Sequence, residues 1–213
     1  MAKYQFGANG PFVGKLGNVV GCSWKGIPYL RSLPKKRAGK ISVAEQANRD
    51  KFAIAQTWLK PLTPFLRIGF NAYSEKVEGF IAAKSYLMKN SMEQVATGFY
   101  INPEKVLLSY GTLDAPTQAN VSVIEEKRLN FTWEPCARNA SRAHDQAMLM
   151  AYCVEANEAC YEIHGAFRCL GKAELVLSPN FKGKVIQVYL AFLAADRNRQ
   201  SNSLYLGEVM VTG

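Results

Sequence analysis

The residues that could do chemistry in this sequence are two histidines, five cysteines, a few clustered carboxylates and a run of cations beside aromatic rings. Ser141, His144 and Asp145 are nucleophile, base and carboxylate types. A catalytic triad, however, is defined by geometry across a fold and not by closeness along the chain. The polar stretch 138–146 reads as an exposed loop. His164 alternates within Tyr161-Glu162-Ile163-His164, the pattern of a residue on a sheet face. Glu125-Glu126 stands beside Lys127-Arg128, a solvated charge cluster at a turn and not an acid/base pair. Cys22, Cys136, Cys153, Cys160 and Cys169 are odd in number and contain no C-x-x-C pair, so neither a disulfide framework nor a zinc site is indicated. Gly14-Lys15-Leu16-Gly17 lacks the spacing and the flanking strand and helix of a phosphate loop. The expectation is a non-enzymatic chain with no cofactor and no metal.

What remains is charge. Residues 1–60 hold 11 Lys/Arg against 2 Asp/Glu, while residues 61–213 hold 15 against 15, so the whole formal charge of +9 lies at the leading end. Such asymmetry points to an acidic partner surface. Trp24, Lys25, Tyr29, Arg31, Lys35, Lys36, Arg37 and Lys40 are the candidate binding residues. Cations interleaved with aromatic rings are suited to tracking a phosphate backbone while stacking on bases. The same Trp24 and Tyr29 would equally serve as cross-strand packing residues of a hairpin.

The elements that must position these residues follow from the local pattern. Glycines at 7, 10, 14, 17, 21 and 26 demand turns or close backbone approach. Residues 18–24 and 27–32 flank Lys25-Gly26 and read as a β-hairpin whose Pro28 belongs on an edge strand. The basic run 33–40 is an extended connector. Ser42-Val43-Ala44-Glu45 is the S-x-x-E signature of a helix start, and that helix runs to about Leu59, before Pro61 and Pro64. A second helical stretch is expected from about Pro64 to Asn90, with Gly69 and Gly79 weakening its continuity.

Near residue 100 the apolar period shortens. Runs at 106–110, 119–123, 129–133, 147–154, 160–167, 173–177, 185–193 and 204–211 are short, alternating or apolar, and divided by turn residues. That is how an antiparallel sandwich appears in sequence. Residues 129–135, Leu-Asn-Phe-Thr-Trp-Glu-Pro, are similar to the second strand of fibronectin type III domains, whose tryptophan fills the core. Residues 185–193 would form a central strand. The expected class is α+β: a basic, Gly-rich hairpin and arm (1–41), a helical segment (42–100) and an Ig/fibronectin III-like β-sandwich (101–213). The boundary between the last two is expected between Asn90 and Ser122.

Residues 10–21 and 23–31, with Leu62-Thr63, residues 65–70 and residues 203–207, resemble the signatures of an uncharacterised family of Bacteroidota proteins. Similarity of the G-x-x-G-N hairpin and basic tail to phage-associated proteins is looser. The resemblance implies no assigned activity. It favours a structural or interaction protein, of a phage-derived or virion-associated kind, docking through its basic hairpin in a homo-oligomer or larger particle. Nucleic acid bound by the same basic surface is the alternative, and a sandwich binding carbohydrate or envelope through its loops is a third. No run reaches the roughly 18 apolar residues of a membrane span, and Met1-Ala2-Lys3-Tyr4-Gln5-Phe6-Gly7 lacks a secretory h-region. A soluble, cytoplasmic or virion-associated protein with reduced thiols is therefore expected.

Overall fold

A computed structural model describes residues 3–4, 10–24, 26–35, 39–74, 77–96, 98–125 and 127–211. The chain divides into two compact units, residues 1–42 and residues 43–213.

In the first unit, β1 (Lys3–Tyr4), β2 (Phe12–Leu16), β3 (Val19–Trp24) and β4 (Ile27–Ser32) form an antiparallel meander in the order β1-β2-β3-β4. The hairpin expected around Lys25-Gly26 is present. Trp24 pairs with Ile27, and Gly26 takes the turn with φ +81, a value that residues bearing a Cβ rarely adopt. β4 is an edge strand, so Pro28, which has no N–H to give, removes no bond from a central ladder.

The second unit opens with α1 (Val43–Leu59), which starts at Ser42-Val43-Ala44-Glu45 and ends where the sequence indicates. The single stretch expected from Pro64 to Asn90 is instead broken into α2 (Thr63–Gly69), a short 3-10 turn at Asn71–Tyr73, and α3 (Gly79–Asn90). Both glycines lie at the break for steric reasons. A Cβ on Gly69 would collide with the Leu108 carbonyl, and one on Gly79 would lie 2.7 Å from the Leu66 carbonyl oxygen. A small hairpin, β5 (Met92–Val95) with β6 (Gly98–Ile101), follows.

The seven remaining strands are β7 (Asn120–Glu125), β8 (Arg128–Thr132), β9 (Gln146–Cys153), β10 (Glu158–Glu162), β11 (Lys172–Val176), β12 (Val185–Leu193) and β13 (Leu204–Met210). They form a three-stranded sheet, β11-β8-β7, and a four-stranded sheet, β10-β9-β12-β13, with every pairing antiparallel. This is an Ig/fibronectin III-like sandwich. Glu125 pairs with Arg128 at the ends of β7 and β8, and Lys127 lies in the turn; Glu126 lies outside the described residues.

The expected strand at 106–110 does not form. Its buried backbone is satisfied without a ladder: Leu108 N donates to Ser203 Oγ at 2.8 Å, and Tyr110 N donates to the Gly69 carbonyl at 2.8 Å. An apolar run can thus be buried as a crossing segment as readily as in a sheet. The run at 160–167 leaves the regular ladder at Glu162 and returns to β9 in an isolated bridge between Phe167 and Gln146.

Alternation along β9 and β12 explains why both strands are apolar at every position but Gln146 and Gln187. Leu149, Ala151, Ile186, Val188, Leu190 and Phe192 point into the sandwich core with Leu129, Phe131 and Trp133. Their neighbours Met148, Met150, Tyr152, Tyr189, Ala191 and Leu193 join the opposite core, built with Trp58, Leu59, Phe65, Leu66 and Phe70 of the helical stretch. Period-2 side-chain direction with both faces covered yields a continuous hydrophobic strand. The helices and the sandwich accordingly belong to one unit in three layers, helices on sheet on sheet.

Trp133 fills the sandwich core as the fibronectin comparison implies. It is buried, edge-on to Phe192 at 5.6 Å, and its Nε1 donates to the Arg168 carbonyl at 2.8 Å.

Candidate functional site

The candidate site is the N-terminal sheet, and its strand registers decide which side chains share a face. Across β2, β3 and β4, Lys15 pairs with Val20 and Val20 with Arg31; Cys22 pairs with Tyr29, and Trp24 with Ile27. Directly opposed residues project to the same side of an antiparallel sheet, and alternate residues along a strand do too. One face therefore carries Lys15, Val20, Cys22, Trp24, Ile27, Tyr29 and Arg31. The other carries Leu16, Val19, Gly21, Ser23, Pro28, Leu30 and Ser32, with the Phe12 ring packed over Gly21.

The first face is cationic and aromatic. Trp24 is 57% exposed and Tyr29 45%, and with Ile27 they line a concavity of about 420 Å³. Lys15 and Arg31 bracket Val20 in the row next to Cys22 and Tyr29. They stand two interstrand spacings apart, about 10 Å. The second face is aliphatic: Leu16 is 48% exposed and Leu30 63%. Among the described residues of this unit only Gly21 is buried, so the sheet has no core of its own on either side.

The electrostatics are one-sided. Lys3, Lys15, Lys25, Arg31, Lys35, Lys36, Arg37 and Lys40 all precede Glu45, the first acidic residue of the chain. Among the described residues, Lys3, Lys15, Arg31, Lys35 and Lys40 take part in no ion pair.

Of the residues singled out from sequence, the structure brings Trp24, Tyr29 and Arg31 onto one face. Lys35 and Lys40 are exposed on the connector after β4 and belong to neither face. Lys25, Lys36 and Arg37 lie outside the described residues. Lys15 was missed. The signal was available in the strand pattern of residues 12–16, where Gly14 disguises an edge of regular pairing as another turn residue.

The side chains considered for catalysis sit elsewhere and apart. His144 is exposed, edge-on to Phe167 at 5.7 Å, and His164 is exposed just beyond β10. Asp145 departs from the exposed-loop reading of 138–146. It is buried and lies 3.8 Å from the buried Arg168 guanidinium, which fixes the end of that loop against the sandwich. Burial pushes the Asp145 carboxyl above its ordinary range, while the Arg168 charge opposes the shift. The five cysteines are unpaired, and only Cys153 is fully buried. Burial pushes the Cys160 thiol up, although its sulfur accepts from the Ser178 N–H at 3.2 Å.

The second unit contains an apolar groove that sequence reading did not find. A cavity of about 470 Å³ is lined by Ala53, Ile54, Thr57, Trp58, Tyr152, Val154 and Asn157. A neighbouring one of about 360 Å³ shares Ile54, Trp58 and Val154 with it and adds Phe99, Tyr100 and Gln187. Its walls come from helix, hairpin and sheet, from Ala53 to Gln187, so no local pattern announces it.

Among the described residues, no helix is long and apolar enough to cross a membrane. The model of a family of unknown function, DUF6266, matches residues 11–207. No curated protein matches the sequence. Among solved structures, the chain is similar to a myokine structure at 10% identity and a TM-score of 0.36, over 48% of this chain and 100% of that one. It is similar to the FN1–FN3 domains of chicken CNTN1 at 8% identity and a TM-score of 0.34, over 48% of this chain and 33% of that one.

Proposed function

This chain belongs to that family of unknown function, and we propose that it is a non-enzymatic structural or interaction protein that docks through its N-terminal sheet. The observation that carries the reading is a four-stranded sheet without a core. Val13, Leu16, Val19, Trp24, Ile27, Tyr29 and Leu30 are each more than a third exposed in one small unit. Leu16, Val19 and Leu30 gather on one face and Trp24, Ile27 and Tyr29 on the other, and exposed apolar surface of this kind marks an interaction site. Among the described residues β4 is an edge strand, which adds a template for strand addition. The second unit supplies the ballast: a three-layer body with two cores, in which the residues suited to catalysis are dispersed or already engaged. In this reading the partners are other copies of the chain in a larger particle, of a phage-derived or virion-associated kind, and the aliphatic face is what they cover.

The test is the mass of the full chain in solution, measured by light scattering. The wild type is expected to assemble, and Leu16→Ser/Leu30→Ser, which changes only the aliphatic face, to yield monomers with an unchanged circular-dichroism spectrum. Monomers for both chains across the accessible concentration range would overturn the reading.

A second reading is favoured by a different observation. Lys15 and Arg31 share a face with Trp24 and Tyr29 in a segment without a carboxylate, which suits nucleic acid as the partner of that face.

A further inference from the structure

We infer that the face bearing Lys15, Trp24, Tyr29 and Arg31 binds single-stranded nucleic acid, with bases stacked on the two rings and the phosphate backbone led past the two cations. The inference rests on the nucleic-acid reading above and adds to it the strand state of the ligand and the division of labour among the four side chains.

Three observations carry it. The first is register. Trp24 lies opposite Ile27 and Tyr29 lies opposite Cys22, so the rings occupy adjacent rows of one face, diagonal to each other. Diagonal neighbours stand about 7–8 Å apart at the backbone, close enough for successive bases of one strand to meet successive rings. The second is exposure. Trp24 and Tyr29 are each about half exposed and, with Ile27, line the 420 Å³ concavity, so a good part of both rings is presented to solvent. The third is charge. The next row holds Lys15 and Arg31 at its two ends, and the segment from residue 1 to residue 44 contains no Asp or Glu to compete with phosphate.

The geometry also selects against a duplex. In double-stranded nucleic acid the base faces are already stacked on each other, and protein reaches base edges and phosphates only. Rings standing on a sheet face have nothing to stack on there, whereas a single strand offers a π-face with every base. An acidic protein surface would satisfy the two cations but would leave the rings without specific work.

The experiment uses the full chain and fluorescence-labelled oligothymidine, with a duplex of equal length as comparator, read by anisotropy over a salt series. Tighter binding of the single strand is expected. The logarithm of the binding constant should fall linearly with that of salt, with a slope of about −1.4 or steeper if Lys15 and Arg31 each meet one phosphate. Trp24→Ala and Tyr29→Ala should each weaken the single strand by roughly ten- to a hundred-fold. Trp24→Phe, which keeps a ring, should retain most of the affinity. Lys15→Glu/Arg31→Glu should abolish binding at moderate salt while leaving the mass of the assembly unchanged, because both residues face away from the aliphatic side. Equal or tighter duplex binding, or indifference to the two alanine variants, would overturn the stacking inference and leave general phosphate binding standing. Failure of both ligands to bind at low salt would remove the nucleic-acid reading itself.

Discussion

Arg168→Met should destabilise the second unit by about 3–5 kcal/mol, the usual cost of breaking a buried ion pair from one side. The Arg168 and Asp145 side chains are 5% and 6% exposed, with 3.8 Å between nitrogen and oxygen. At an effective dielectric constant near 20, that separation corresponds to an attraction of about 4 kcal/mol. The guanidinium also donates to the Asp114 carbonyl at 3.0 Å and the Ala115 carbonyl at 3.3 Å, and its carbon lies 4.2 Å from the Phe192 ring centre. Asp145 Oδ2 has no hydrogen-bond partner among the described residues, so without the arginine its buried charge would be left to the Ala195 N–H and the weaker fields of Arg199 and Arg142. The assay is urea unfolding of the wild type, R168M, D145N and the double variant. Because Asp145→Asn removes the charge that R168M strands, the double variant should be more stable than the summed single effects by about 2 kcal/mol. The pH dependence has a fixed sign. Burial raises the Asp145 carboxyl in the native state, so the folded chain holds that proton more tightly than the unfolded chain. The penalty of ionising it is fully present above the raised value and is relieved as pH falls toward 3.8, its ordinary value. The cost of R168M should therefore shrink on acidification, whereas that of R168M/D145N should not. A neutral-pH cost below about 1 kcal/mol, or a cost independent of pH in the single variant, would refute the reasoning.

Two further outcomes follow from buried hydroxyls. The fully buried Tyr189 donates from its hydroxyl to the Pro103 carbonyl at 2.7 Å, tying the segment after the small hairpin to the central strand. Tyr189→Phe should cost about 1 kcal/mol in denaturant unfolding, the net worth of one hydrogen bond, because the Pro103 carbonyl still accepts from the Val106 N–H. Burial pushes Tyr152 and Tyr205 up to about 12, so the native state holds both protons through a range in which the unfolded chain loses them. Stability should fall as pH rises from 10 toward 12, with tyrosinate absorbance from these rings appearing together with loss of the fold.

Much of the sandwich was legible because its strands carry period-2 patterns closed by turn residues, as at Leu129–Thr132 and at Ala173–Val176. The third layer was not. The run from Ala147 to Cys153 is apolar at every position, which local pattern alone cannot assign to one covered face or two. The answer lay in α1 and α2, whose Trp58, Leu59, Phe65 and Leu66 need a partner and find it on the reverse of the same strands. The false strand at 106–110 has the same origin in reverse. Its apolar residues are buried as expected, Leu108 entirely, but its hydrogen bonds come from Ser203 and Gly69, contacts made by residues tens of positions away.

The arrangement of the candidate site was legible to the extent that a hairpin turn fixes register. With Gly26 in the turn and Trp24 opposite Ile27, Tyr29 and Arg31 must follow on the same side. No such constraint acts on the described part of the connector, where Lys35 and Lys40 have no ladder to orient them, so charge count alone does not assign them a face. Register also divides what composition merged. The aliphatic residues Leu16, Val19 and Leu30 and the cationic-aromatic group are interleaved in sequence but alternate across the sheet. A sheet so thin can give one face to an assembly partner and keep the other for phosphate and bases, because its apolar and charged side chains never had to share a core.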